Sequence, residues 1–281
     1  MVPLIIAGLI VFFAAAVLYG VLRWDSSTKD LLARLEAARS AVGSTSYDPR
    51  ELEGLPGPVQ RYFRAALTEG QPIVAAVSVE HEGTFNMSAA GEKWQRFSSR
   101  QRVTTQCPGF LWDARIAVAP GLKARVHDAY IEGEGILRAT LLGFLTLVNL
   151  RGTRAVAEGE LMRFFAEAAW YPTALLPSQG VQWTAVDGSS AKAALKDGDI
   201  SLTLLFRFDE AGLIASVRAD ARGRTVGREV IPTPWEGRWK SYELREGMRV
   251  PLEGEVAWIL PEGPKPYWRG RITSLSYEFV P

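Results

Sequence analysis

Side chains able to do acid–base or nucleophilic work are sparse in this chain of 281 residues, which has two histidines, His81 and His127, and one cysteine, Cys107. Glu160 and Glu167 are the best-spaced carboxylate pair, because residues seven apart return to one helical face, and a general acid and base need such a pair beside a cleft. Arg163 lies between them at ion-pairing distance on a helix, so the same spacing also fits a solvated charged face. His127 and Asp128 are adjacent; on a strand their side chains point to opposite faces, which excludes a direct dyad within that strand. His81 falls on an otherwise apolar face and reads as a hydrogen-bonded core histidine, with a ligand or base as the alternative.

Other chemical motifs fail on context. Ser-x-x-Lys occurs at 189–192, but it recurs at 26–29 beside an apolar segment, and neither copy has the companion motifs of penicillin-binding enzymes. Gly133-Glu134-Gly135 lacks the third glycine and the strand-to-helix setting of a dinucleotide site. A single cysteine excludes an internal disulfide and any multi-cysteine metal site, and Cys107 has no thiolate-stabilising neighbour in sequence. No catalytic residue, metal or cofactor is therefore assigned. With 32 basic and 31 acidic residues the formal charge is +1, so no basic field points to nucleic acid.

The elements that must position these residues begin with an apolar run. From Val2 to Leu22 there are 21 residues without a charge, 13 of them Val, Leu, Ile or Phe. About 20 helical residues cross a bilayer core of roughly 30 Å, so the run predicts a single-pass membrane anchor, with Tyr19 and Trp24 suited to the interface. A cleaved signal peptide would want basic residues before the run and a small-residue cleavage site after it. Arg23, Lys29, Arg34 and Arg39 follow the span, and a positive-inside count puts the large domain in the cytoplasm.

Beyond the anchor (1–24), residues 25–71 read as juxtamembrane helices and a linker, and 72–281 as an antiparallel β domain. Ser27 can cap a helix with Leu31, Leu32, Leu35, Ala38 and Val42 on one stripe, ended by Gly43. Residues 43–58 are rich in turn formers, and Val59, Tyr62, Phe63, Ala66 and Leu67 mark a second helix. From about residue 72 the period changes to 2: Val77, Val79, His81, Phe85 and Met87 form one face, and similar alternation recurs at 110–118 and 200–208. Compact turns such as Ala90-Gly91, Pro120-Gly121 and Asp197-Gly198 favour antiparallel neighbours, giving about ten strands. One helix interrupts them at about 156–169, with Leu161, Phe164, Phe165 and Ala168 on a stripe. The apolar stretch 139–150 is too short to span a membrane and predicts a buried strand or helix. The fold class is α+β and mainly β: a large curved antiparallel sheet, a half-open barrel, with an inserted helix after an N-terminal transmembrane helix.

Nine Trp, twelve Phe and eight Tyr are spread through the chain, fit for a core or for lining an apolar cavity. Six of these aromatic residues, Trp112, Tyr130, Phe164, Trp170, Trp183 and Phe206, are candidate ligand contacts, with His127, Asp128, Glu160 and Glu167 as polar contacts. The segments GLPGPVQRYF, FLWDARI, DAYIEGEG, GELMRFFAEAAWYPTALLP, PTPWEGRW and PYWRG resemble, across roughly 50–281, a bacterial family of membrane-anchored proteins with a domain of unknown function. In architecture the chain is similar to the half-barrels of lipoprotein carriers (LolA and LppX-like proteins), which hold acyl chains on a concave face; this likeness implies a place outside the cytoplasmic membrane. The expected function is membrane-anchored binding of a lipid or other apolar ligand, which needs a cavity of several hundred Å³ on the concave face. The alternatives are an assembly partner in a cell-envelope complex, which needs an exposed apolar patch, and a carboxylate-dependent enzyme.

Overall fold

The computed structural model describes residues 2–40, 44–88, 91–227 and 229–281, so Val42, Gly43 and Ala90 of the expected helix end and turn lie outside the described residues. The first helix, α1 (Val2–Ala37), is continuous for 36 residues. Ser27 starts no new helix: the apolar run passes into the juxtamembrane stripe without a break. The first part is long and apolar enough to cross a membrane, while Trp24, Leu31 and Leu35 further on are buried against the sheet. A short 3-10 turn follows, started by Asp48, whose side chain accepts from the Arg50 amide. Then comes α2 (Gly57–Ala66), which buries Val59, Tyr62, Phe63 and Ala66.

Six strands come next, β1 (Val74–Asn86), β2 (Trp94–Thr104), β3 (Gly109–Ala119), β4 (Leu122–Ile131), β5 (Glu134–Leu141) and β6 (Leu145–Arg151). They are followed by α3 (Arg154–Glu167) and three short 3-10 turns. Seven more strands complete the chain: β7 (Gln182–Ala185), β8 (Ser190–Asp197), β9 (Ile200–Phe208), β10 (Ile214–Val226), β11 (Glu229–Arg245), β12 (Met248–Leu260) and β13 (Gly263–Phe279). The sheet has thirteen strands rather than ten, in the order β6-β5-β4-β3-β2-β1-β13-β12-β11-β10-β9-β8-β7. Every pairing is antiparallel. Two meanders meet at the central β1–β13 pair; β6 and β7 are the free edges, so the curved sheet stays unclosed.

Because α3 follows one edge and precedes the other, it crosses the concave face and packs on β3, β4 and β5 as well as on β9 and β10. The main apolar cluster fills this side, combining inward residues of both meanders with α2, α3 and Trp170. A second, smaller cluster lies on the convex side, where Leu31 and Leu35 of α1 meet Leu111, Ala129, Ile131 and Ile136. Strands β3 and β4 are thus covered on both faces, which is why FLW and AYI read as continuous apolar runs rather than as alternation. By contrast β9 has one covered face and alternates strictly between buried and open positions.

The stretch 139–150 is a hairpin, the end of β5 with β6, and it is not buried: Leu145, Leu147 and Leu150 are 49%, 54% and 38% exposed. An edge strand has a neighbour on one side only, so its apolar residues gain half the usual cover.

Candidate functional site

Thr153 caps α3, its hydroxyl accepting from the Val156 amide. The first turn then rests on Gly135 of β5, where an added Cβ would stand 2.5 Å from the backbone of Val156 and Ala157. This close approach seats the whole helix on the sheet. Leu161, Phe164 and Phe165 are buried as their spacing predicts, but Glu160 and Glu167 are buried too, at 6% and 8% exposure. The solvated ion-pair face is therefore corrected to a charged seam between the helix and the sheet.

Arg163 organises this seam. Its Nε donates to Glu167 Oε1 at 2.7 Å, one terminal nitrogen donates to Asp128 Oδ2 on β4, and the other donates to Gln101 Oε1 on β2 at 3.3 Å. Gln101 Nε2 closes the ring by donating to Glu167 Oε2 at 2.6 Å. The guanidinium lies 4.9 Å from the ring centres of Phe110 and Trp112, a cation–π sandwich in a dry setting. Three hydrogen-bond acceptors and two rings hold it charged: burial alone would lower its pKa, but Glu167, Asp128 and Glu160 outweigh that and raise it.

Glu160 sits at the next turn, 3.5 Å from Arg222 of β10, itself stacked over Trp235. Burial holds the Glu160 carboxyl well above the usual carboxylate range, and neighbouring Asp128 adds to this, while Arg222 and Arg163 oppose it. Glu160 Oε2 and Asp128 Oδ1 find no donor among the described residues.

The six aromatic candidates all join the same core cluster, Trp183 at its margin. Phe206 meets Phe165 at 5.6 Å and Trp183 at 5.1 Å between ring centres, and Trp170 meets His81 at 4.9 Å and Trp239 at 5.1 Å. Tyr130 donates to Asp197 across the barrel at 2.7 Å. Indole nitrogens of Trp112, Trp170 and Trp239, and His81 Nε2, lack partners among the described residues. Below α3 these side chains pack against one another and against the helix. A groove of about 530 Å³ lies elsewhere, between α2 and the β9–β10 and β11–β12 turns, lined by Arg64, Leu67, Leu213, Leu244 and Arg249 among others.

Of the four polar candidates the structure brings together Asp128, Glu160 and Glu167 and leaves His127 on the other face of β4, as adjacency on a strand requires. There His127 stacks on Trp24 of α1 at 3.8 Å and its Nε2 pairs with the Thr28 hydroxyl at 2.7 Å. Trp24 in turn donates to Asp113 at 3.1 Å. Burial pulls the pKa of His127 down to about 3, with Arg138 and Arg125 contributing, and that of His81 to about 3, with Arg163 contributing. Among the described residues no group of three His, Cys, Asp or Glu is arranged to hold a metal. Burial, with Asp197 and Glu132 nearby, raises the Cys107 thiol above its ordinary value.

Sequence reasoning missed Gln101, Arg222 and Trp24 as parts of these arrangements. Gln101 carried a signal, being a polar residue in register with Ser99 and Val103 on the inward face of β2. Arg222 carried none, because a register shift after Ala219 turns it inward.

No curated protein matches the chain significantly. Among solved structures the chain is similar to a LolA superfamily protein from Nitrosomonas europaea, with a TM-score of 0.42 and 9% identity over 89% of this chain and 94% of that one. It is also similar to a β-barrel-like protein of the domain of unknown function DUF1849 from Brucella abortus, with a TM-score of 0.23 and 9% identity over 73% and 99%. Neither likeness is near enough to carry an argument about function. Residues 53–277, most of the sheet together with α2 and α3, match DUF6920, and the protein belongs to this family of unknown function.

Proposed function

We propose that the protein is a membrane-anchored binding protein for a lipid or another apolar ligand with a polar head, received between the concave face and α3 when that helix lifts. The observation that carries this reading is the charged seam under α3. A helix serving only as a scaffold is held more cheaply by apolar contacts than by a buried Arg163 ringed with carboxylates. Polar contacts recover part of their energy from water when they separate, so a seam of this kind lets a helix open where an apolar one resists. Once open, the site offers Arg163 and Arg222 to a polar head, and Trp112, Phe164, Trp170 and Phe206 to an apolar chain. In the closed state the carboxyl groups of Asp128, Glu160 and Glu167 face these two arginines. The exposed Val226, Val230 and Ile231 around the β10–β11 turn favour the second reading, a protein partner in an envelope complex.

In this reading α1 anchors the chain and the sheet lies on the outer face of the cytoplasmic membrane. Alkaline phosphatase fused after Pro281 tests the side, since its activity requires export. Binding is tested on the full chain in detergent, by native mass spectrometry and by hydrogen exchange with and without added phospholipid. The expected result is a stoichiometric lipid adduct and slower exchange in α3 on lipid addition. If α3 exchanges as slowly as β1 and β13 and lipid changes neither its exchange nor the mass, the binding reading fails.

A further inference from the structure

The hairpin of β5 and β6 touches α1 inside its apolar run. Gly20 lies about 27 Å along the helix axis from Val2 at 1.5 Å per residue, within a hydrocarbon thickness of roughly 30 Å. A Cβ added to Gly20 would come 2.4 Å from Leu142 O and 2.9 Å from the Phe144 ring, and one added to Gly143 would come 2.4 Å from Gly20 O. Two facing glycines thus let the hairpin tip meet the helix backbone to backbone. Gly143 has a φ of +79°, so the turn itself also needs glycine there. The tip is fixed at the depth where the apolar run ends, beside Tyr19 and Leu22, which are 62% and 59% exposed.

The hairpin is chemically suited to that depth. From Ala139 to Leu150 it carries no charge, and Arg138 and Arg151 bound it. Leu145 and Leu147 are about half exposed. In water, an uncharged apolar edge strand is a template for aggregation. We infer that the β5–β6 hairpin is a second membrane contact, seated in the headgroup layer beside α1 with Leu145 and Leu147 in lipid. The inference rests on α1 being a membrane anchor. Because β6 is a sheet edge whose outer backbone groups are unpaired, the hairpin stops at the interface, where water persists, and does not enter the hydrocarbon. Two contacts, the helix and the hairpin, fix the tilt of the sheet against the bilayer.

The test uses the full chain with Cys107→Ser, reconstituted into vesicles of phosphatidylcholine and phosphatidylglycerol. An environment-sensitive fluorophore is placed in turn at Leu145→Cys, Leu147→Cys, Val11→Cys in the apolar run and Val186→Cys in the β7–β8 turn. Quenching is read with a doxyl group near the headgroup end of the acyl chain and with one near its methyl end. The expected result is a blue-shifted label at 145 and 147, quenched several-fold more than at 186 and more strongly by the shallow doxyl. The label at 11 is quenched more strongly by the deep one. Labels at 145 and 147 behaving like 186 while 11 is quenched overturn the hairpin contact and leave the anchor standing. No quenching at 11 overturns the anchor, and this inference with it.

Discussion

Two glycines, Gly135 beneath α3 and Gly159 within it, make opposite predictions. Gly135→Ala puts a methyl group 2.5 Å from Val156 C and Ala157 N, and 2.7 Å from Ala157 Cα; all three are backbone atoms of the helix and cannot swing aside. The first turn of α3 must lift by several tenths of an ångström, straining the fit of Leu161 and the reach of Arg163 to Asp128. Overpacking of this kind destabilises by about 1–3 kcal/mol. Gly159→Ala acts within the same helix, yet its methyl group would meet only the Arg222 side chain, at 3.5 Å, an ordinary contact. Replacing a helix-interior glycine by alanine stabilises by about 1 kcal/mol. For a chain of this size each kcal/mol moves Tm by roughly 2–4 °C. Thermal unfolding of the detergent-solubilised full chain should therefore fall for Gly135→Ala and rise for Gly159→Ala. Hydrogen exchange in α3 should quicken and slow in the same order. An unchanged Tm for Gly135→Ala, with unaltered exchange in 154–167, would refute the seating of α3 on β5, and with it the description of the seam.

Other perturbations follow from the same contacts. His81 and His127 stay neutral when folded down to a pKa of about 3, whereas an unfolded histidine binds its proton near pH 6.5. Between these values the unfolded chain holds more protons, so stability should fall as the pH drops from 6.5 toward 3, with a limiting slope of about 1.4 kcal/mol per pH unit for each histidine. Glu160 has the opposite sign: its raised pKa gives stability that is present at low pH and lost as the pH rises through the folded value. Glu160→Gln should remove that loss in denaturant titrations carried upward in pH from the ordinary carboxylate range. Arg163→Ala leaves Asp128 and Glu167 buried without their partner and should cost about 3–5 kcal/mol, part of it recovered when Asp128→Asn is added. Trp24→Ala removes the ring stacked on His127 and the donor to Asp113, at about 3–5 kcal/mol. Proteolysis near Arg39 should then quicken as the second half of α1 leaves the sheet.

Strands covered on one face were legible from the sequence, because period-2 patterning reports half-burial: β1 and β9 start and stop within a few residues of their predicted positions, and so does β3, whose second half still alternates. The helix α3 was legible too, through its apolar stripe of Leu161, Phe164 and Phe165. Where both faces are covered the signal weakens, as at Phe110-Leu111-Trp112 and at Glu160, whose helix is buried on its charged side as well. Ser27 has the side chain of a cap but lies inside a helix, since nothing upstream breaks the run from Val2. Leu145 and Leu147 looked buried because apolarity alone does not say whether a protein or a membrane covers a residue. The polar seam was half visible: the spacing of Glu160, Arg163 and Glu167 placed three of its members, while Asp128 and Gln101 arrive from strands that no local pattern connects to α3.

The central β1–β13 pair has a consequence for biosynthesis. A ribosome delivers β1 about two hundred residues before its partner, and at 5–20 residues per second that interval lasts on the order of ten seconds or more. During that interval β1 has β2 on one side and an open edge on the other, Val74 to Phe85 waiting for a strand not yet made. Only the arrival of β13, the last 17-residue strand, joins the two meanders and closes the seam between them. Nascent chains should therefore stay sticky until β13 emerges, and a stop codon within β13 should expose two edges at once, those of β1 and β12.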